Sequence, residues 1–255
     1  MRKKAFTLIE VLMVVAIISL LMAVLMPVLA KARQEGKAVM CLGNLRQLGI
    51  AAQLYADDND GYYPTAYIND PDPTDSLAVY VYWDFVHIKD LDTLEKHTEP
   101  GLLWQNDMIE SIQQCPSFKG SANADDPYTG YNYNTSYIGH GSSEAVTTPT
   151  KVTRVQNPSV CALFGDGEYA DGANKFMRSP WKSEYDTFTF RTAGTQGWRH
   201  NGKTNVAWCD GHVSSQKQLH IETVSWGKEQ LERYNKTAKN KIGFLSADNS
   251  AYDLE

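Results

Sequence analysis

MRKKAFTLIEVLMVVAIISLLMAVLMPVLA, residues 1–30, decides how the rest of this chain is read. Arg2, Lys3 and Lys4 precede an apolar run that opens at Phe6 and contains one charge, Glu10; residues 11–30 carry none. At 1.5 Å per residue, a helix over those positions is roughly 30 Å long, the hydrocarbon thickness of a bilayer. The stretch predicts a membrane-spanning helix, its cationic start held on the cytoplasmic side and the remainder exported. A cleaved secretory signal shares the basic start, and Val28-Leu29-Ala30-Lys31-Ala32 offers it a small-residue site, yet the run is about twice as long as a signal's core. Glu10 calls for a further reason, because a carboxylate near the start of an apolar span costs on the order of 2–3 kcal/mol in the membrane.

Basic residues, a small residue, Phe-Thr-Leu-Ile-Glu-Val (residues 6–11) and a long apolar run resemble the N-terminus of type IV pilins and type II secretion pseudopilins. The resemblance implies that residues 1–5 are a leader, that a prepilin peptidase cuts between Ala5 and Phe6, and that Phe6 becomes the methylated first residue. It also implies assembly into a homo- or hetero-filament through an inner-membrane platform. Ala5 stands where that family has glycine; as the next smallest residue it remains compatible with cleavage. Pro27 falls where the family's helix carries a proline. Removing a backbone hydrogen bond there costs about 3 kcal/mol, so a kink or local melting is expected.

Glu10 has a chemistry of its own in such an assembly. Among parallel apolar helices, the amino cation of an incoming chain and the Glu10 carboxylate each lack a partner, and pairing satisfies both. Removing one partner of a buried pair costs roughly 3–5 kcal/mol, enough to fix the axial register of each subunit. The alternative is that Glu10 reaches back to the cytoplasmic headgroups.

The chain's 255 residues are 42% hydrophobic, sufficient for one sizeable domain beyond the anchor. Residues 1–37 hold six basic and two acidic groups, a balance of +4, which leaves −10 of the total −6 on the remainder. An acidic exterior argues against nucleic acid as the main partner. Fourteen tyrosines and six tryptophans favour a β-rich body.

The expected organisation is a leader (1–5), an assembly helix (6–30), its amphipathic continuation (31–57) and an exported globular domain (58–255). The fold class is α+β and pilin-like: a long N-terminal helix packed on a C-terminal antiparallel sheet. Cys41, Leu45, Leu48, Ala52 and Tyr55 fall on one helical stripe. Asp57-Asp58-Asn59-Asp60-Gly61 suits a helix-ending turn, with Asn59 and Gly61 left-handed, better than a calcium loop. Residues 79–83 predict a strand, 91–99 a polar helix or loop, 102–112 a helical stretch, and 120–150 a surface loop with at most one hairpin. Residues 160–164 read as a strand, and Phe188 and Phe190 alternate with threonines. A three-strand meander is expected across Trp198-Arg199-His200, the Asn201-Gly202 turn, residues 206–209, the Asp210-Gly211 turn and residues 212–214. Residues 222–236 predict a short closing helix or a polar tail.

Cys41 to Gly49 followed by Tyr55 to Pro64 resembles a bacterial branch of pseudopilin-like proteins, and His200, nine residues, then Asp210-Gly211 resembles the C-terminal motif of that same branch. Asp166, Glu168, His200, Asp210 and His212 would form one site if the sheet gathered them. Its carboxylates, Asp166, Glu168 and Asp210, would take calcium and its histidines zinc; otherwise Asp166 and Asp210 are turn residues and His200 a packed one. No cofactor is required by the sequence, and calcium is the candidate one. Four cysteines in an exported domain suggest disulfides, Cys41–Cys115 clamping helix to body and Cys161–Cys209 joining strand ends, although buried free thiols would look the same.

Two functions follow. One is a filament subunit without catalysis, anchored in the inner membrane before assembly with its body in the periplasm, and partnered by its own kind, the prepilin peptidase and the assembly platform. The other is a membrane-tethered enzyme or glycan-binding domain using the Asp/His set. Only the first explains Glu10 beside a processing site.

Overall fold

The computed structural model describes all residues except 1–6, 71–75, 105–109, 124, 143 and 171. The expected cleavage site, Ala5 and Phe6, lies outside the described residues. The architecture is α+β and pilin-like: one long helix, α1 (Leu8–Asp58), followed by a mostly antiparallel β body.

Thr7 and Glu10 start α1. The Glu10 carboxylate accepts from the Thr7 backbone N–H and hydroxyl, each at 2.8 Å, while Thr7 Oγ1 accepts from the Glu10 N–H at 3.4 Å. This reciprocal cap satisfies donors that have no partner within the helix. The expected melting at Pro27 is not seen: α1 runs unbroken through it. One missing hydrogen bond among the many that flank it does not end a helix this long. Every large apolar residue from Leu8 to Leu29 is exposed. Beyond Lys37 the helix turns its stripe inward, burying Cys41, Leu45, Leu48, Ala51, Ala52 and Ala56. It ends as expected in a turn, with Gly61 at φ 78° and its N–H donating to Ala56; Asp60 (φ 53°), not Asn59, is the second left-handed residue.

The body opens with a four-stranded antiparallel meander of β1 (Tyr67–Asp70), β2 (Leu77–Tyr82), β3 (Phe85–Asp90) and β4 (Lys96–Pro100). β4 replaces the polar helix or loop expected there, because β3 offers it a free edge. Residues 102–112 contribute only the short helical turns Leu102–Trp104 and Glu110–Gln113 among the described residues.

A second sheet holds β5 (Asn132–Asn134), β6 (Ala162–Gly165), β7 (Phe176–Met177), β9 (Thr204–Trp208) and β10 (Val213–Gln216) in the order β10-β9-β6-β5-β7; only β5 and β7 are parallel. β6, β9 and β10 pack against α1. Trp83, Tyr133 and Phe164 meet above them, with ring centroids 5.0–5.7 Å apart. β8 (Gln196–Gly197) pairs with β11 (Ile242–Gly243), and α2 (Ser225–Thr237) is the expected closing helix.

Three expectations are corrected here. Residues 130–141 are buried rather than a surface loop: β5 and a π-type turn (Thr135–Gly139) run through the interior. Polar side chains make this possible by taking up main-chain partners, as Asn134 does in donating to the carbonyls of Ala162 and Tyr252, both at 2.8 Å. The meander keeps only its β9–β10 hairpin, because the chain before the Asn201-Gly202 turn pairs with β11 instead. Phe188 and Phe190 form no strand either; Phe190 stacks on Trp226 at 5.2 Å.

His140 closes the π-type turn, 2% exposed and at φ 46°. Burial, ahead of the opposing fields of Glu144 and Asp186, lowers its pKa to about 4. Because the native value lies below the unfolded one near 6.5, its contribution to stability is complete above about pH 6.5 and is lost as pH falls toward 4. The loss across that window is on the order of 3 kcal/mol. His140→Asn, which tolerates positive φ, should remove this share of the acid sensitivity. Urea denaturation of both proteins at pH 7 and pH 4.5 checks it through the difference between their two shifts.

Candidate functional site

Two places in the fold carry chemistry. The first is the bare half of α1. It is the one helix among the described residues that is long and apolar enough to cross a membrane, and none of its apolar window is covered by the body. Its lone carboxylate, Glu10, sits at the N-terminal end, closed onto Thr7. The Thr7-Leu8-Ile9-Glu10 spacing is that of a capping box, a signal present in the sequence that the reading of Glu10 as an assembly charge passed over.

The second is a buried cluster where four segments meet. Cys41 comes from α1, Cys115 from the loop after Glu110–Gln113, Asp166 from the residue following β6, and Arg199 and His200 from the turn before β9. Cys41 Sγ donates to Asp166 Oδ1 at 3.1 Å and lies 3.9 Å from Cys115 Sγ. His200 Nε2 is 3.7 Å from Cys115 Sγ and 3.2 Å from Asp166 Oδ2. Arg199 donates through Nε to Cys115 Sγ at 3.3 Å, through Nη2 to Asp166 Oδ1 at 3.0 Å and through Nη1 to Glu168 Oε2 at 3.2 Å. The Asn205 N–H donates to Asp166 Oδ2 at 2.7 Å. Gly130 lets the chain close over this point: at φ 139°, a Cβ there would stand 2.5 Å from that of Cys115.

Electrostatics divide the cluster. Burial opposes a charged His200, but the hydrogen bonds it makes to Asp166 and Cys115 outweigh burial and raise its pKa to about 9. Burial likewise pushes Asp166 up, and Arg199 and His200 bring it below its usual range. Of the two thiols, Cys41 is raised by burial and by Cys115; Cys115 is lowered, against burial, by Cys41, Arg199 and His200.

The residues singled out in the sequence are therefore redistributed. Asp166 and Glu168 share Arg199, but Asp210 lies past the other end of the β6–β9 pair. There its backbone N–H donates to Pro158 and its carboxylate accepts from the His212 N–H at 3.0 Å. The three carboxylates proposed for calcium do not converge, because β6 and β9 run antiparallel and hold Asp166 beside Asn205, well short of the Asp210-Gly211 turn. His200 joins Asp166, while His212 stacks on Trp208 at 5.7 Å. The expected disulfides are not formed. All four cysteines are thiols: Arg199 and His200 hold Cys115, Asp166 holds Cys41, and Cys161 donates to the Tyr252 carbonyl at 3.3 Å. Cys161 and Cys209 are neighbours across strands, linked by a backbone hydrogen bond of 3.0 Å. Arg199, the hub of the cluster, was not singled out; only its place beside His200 pointed to it.

Residues 1–26 match the family described as the prokaryotic N-terminal methylation motif. The chain carries a prepilin-type N-terminus. That start sits on a pilin-like fold, and the two together are consistent with a type IV pilin-like protein anchored through its N-terminal apolar helix. A motif of this kind implies processing by a prepilin peptidase and points to a structural subunit rather than an enzyme. No curated protein and no solved structure matches the chain.

Proposed function

We propose that this protein is a structural subunit of a type IV pilus-like or type II secretion-like filament. A prepilin peptidase cuts before Phe6, methylation follows, and an inner-membrane platform packs the helix against those of other pilin-like subunits. Before assembly the chain is a single-pass inner-membrane protein with its body in the periplasm; afterwards the body decorates the filament.

The observation that carries this reading is the division of α1. Its first half is apolar, exposed on every side and headed by Glu10, whereas its second half is the buried spine of the body. A helix bare all round asks for lipid or for other such helices, and a prepilin-type start supplies the second. The Asp/His groups of a tethered enzyme find less support, since Asp166 and His200 are buried and Asp210 stands apart from them.

The mature protein should begin at N-methyl-Phe6 by intact mass, and shearing cells should release it as long polymers. A mature chain beginning near Lys31, or one found only in the membrane fraction after shearing, overturns the reading.

A further inference from the structure

We propose that Cys41, Cys115, Asp166 and His200 are the four ligands of a structural zinc(II) ion that fastens the spine helix to the body. Their ligand atoms all lie within 4.8 Å of one another, and none of the four residues is more than 4% exposed.

The argument is geometric. Around a tetrahedral zinc with Zn–S about 2.3 Å and Zn–N or Zn–O about 2.1 Å, sulfurs stand about 3.8 Å apart, sulfur and nitrogen about 3.6 Å, and nitrogen and oxygen about 3.4 Å. The corresponding separations here are 3.9, 3.7 and 3.2 Å. Both edges given to Asp166 are shorter than such a site would give: 3.2 Å from His200 Nε2 to Oδ2 against about 3.4 Å, and 3.1 Å from Cys41 Sγ to Oδ1 against about 3.6 Å. A disulfide would bring the two sulfurs to about 2.05 Å, well inside the 3.9 Å between them here.

Composition and surroundings agree. Two thiolates, an imidazole and a carboxylate make a set for zinc, not for calcium, which prefers all-oxygen shells. Two thiolates and a carboxylate against Zn²⁺ leave one negative charge, which faces the Arg199 guanidinium that the site shares with Glu168. Arg199 donates to one ligand sulfur and one ligand oxygen, and the Asn205 N–H donates to the other Asp166 oxygen. Such outer hydrogen bonds orient the ligands of metal sites. Four protein ligands from four distant segments leave no open position for substrate, so the role is structural.

The test uses the full chain, purified in detergent under reducing conditions. It should hold one zinc per chain by elemental analysis. After chelation it should take up one cobalt(II), with the strong visible absorption of a tetrahedral site and a thiolate-to-cobalt charge-transfer band. Cys115→Ser and His200→Ala should each weaken cobalt binding roughly tenfold or more, while Asp210→Asn should leave it unchanged. Because the first two variants could misfold, the wild-type cobalt spectrum stands as an independent readout. Folded wild-type protein that takes up neither metal overturns the proposal. So does a mass lower by two hydrogens, with Cys41 and Cys115 cross-linked, in protein purified without reductant, as does cobalt uptake without the charge-transfer band.

Discussion

Glu10→Ala should leave the chain inserted, cleaved and methylated but missing from sheared filaments. The bare half of α1 places the carboxylate among apolar neighbours once helices pack, and an incoming amino terminus left without it is an uncompensated charge. Breaking such a pair costs roughly 3–5 kcal/mol per subunit, which at assembly equilibrium is a factor of a hundred or more in incorporation. In the single chain, however, Glu10 also closes the helix cap with Thr7. Two further variants separate the roles. Glu10→Gln keeps a side chain that a capping box accepts yet removes the charge, so it should fail to assemble as the alanine variant does. Thr7→Val removes the cap and keeps the charge, at a helix cost of about 1 kcal/mol, and should still assemble. Immunoblots of sheared and membrane fractions decide it: normal filaments from Glu10→Gln and none from Thr7→Val would assign Glu10 to the cap alone.

Lys175→Met should be the most destabilising single change among these tests in the body. The Lys175 ammonium is 3% exposed and lies 2.9 Å from both Asp84 Oδ1 and Asp126 Oδ1, with the Tyr82 ring centroid 4.3 Å away. It ties the turn between β2 and β3 to the residue before β7. Methionine fills the volume but leaves two carboxylates buried side by side, a change of roughly 3–5 kcal/mol. Burial already raises Asp84 to about 6 even with Lys175 opposing it, so without the lysine Asp84 gains a proton more readily. The deficit should therefore be largest at pH 7.5 and shrink by pH 5. Urea denaturation of the wild-type and variant proteins measures both figures. A loss below about 1 kcal/mol at pH 7.5, with an unchanged denaturant slope, would show that Lys175 is not what stabilises the two carboxylates.

Much of the helix was legible because its two halves obey different patterns. Residues 11–30 are apolar without period, whereas Cys41, Leu45, Leu48 and Ala52 recur at helical spacing and are buried. The β9–β10 hairpin was legible from its Asp210-Gly211 turn, where Gly211 adopts φ 86°. Residues 130–141 were not, since asparagine and glycine in a polar stretch look like loop until the main-chain partners of Asn132 and Asn134 are known. The cluster was half legible. Cys41 and Cys115 were matched as a pair, and Asp166 and His200 were each noted, but no local pattern says that a helix, a loop, a strand end and a turn meet at one point. Nor did the spacing of His200 and Asp210 show that β9 would hold them apart.

The continuity of α1 has a mechanical consequence. Fifty-one residues at 1.5 Å each make a helix of about 77 Å that stays unbroken through Pro27. If the bare half is gripped by neighbouring helices, tension along a fibre runs from rod to rod and bypasses the sheets, which hang on the far half as cargo. A body could then be lost to a protease or exchanged for another without weakening the fibre, and its strands would never be pulled from their ends.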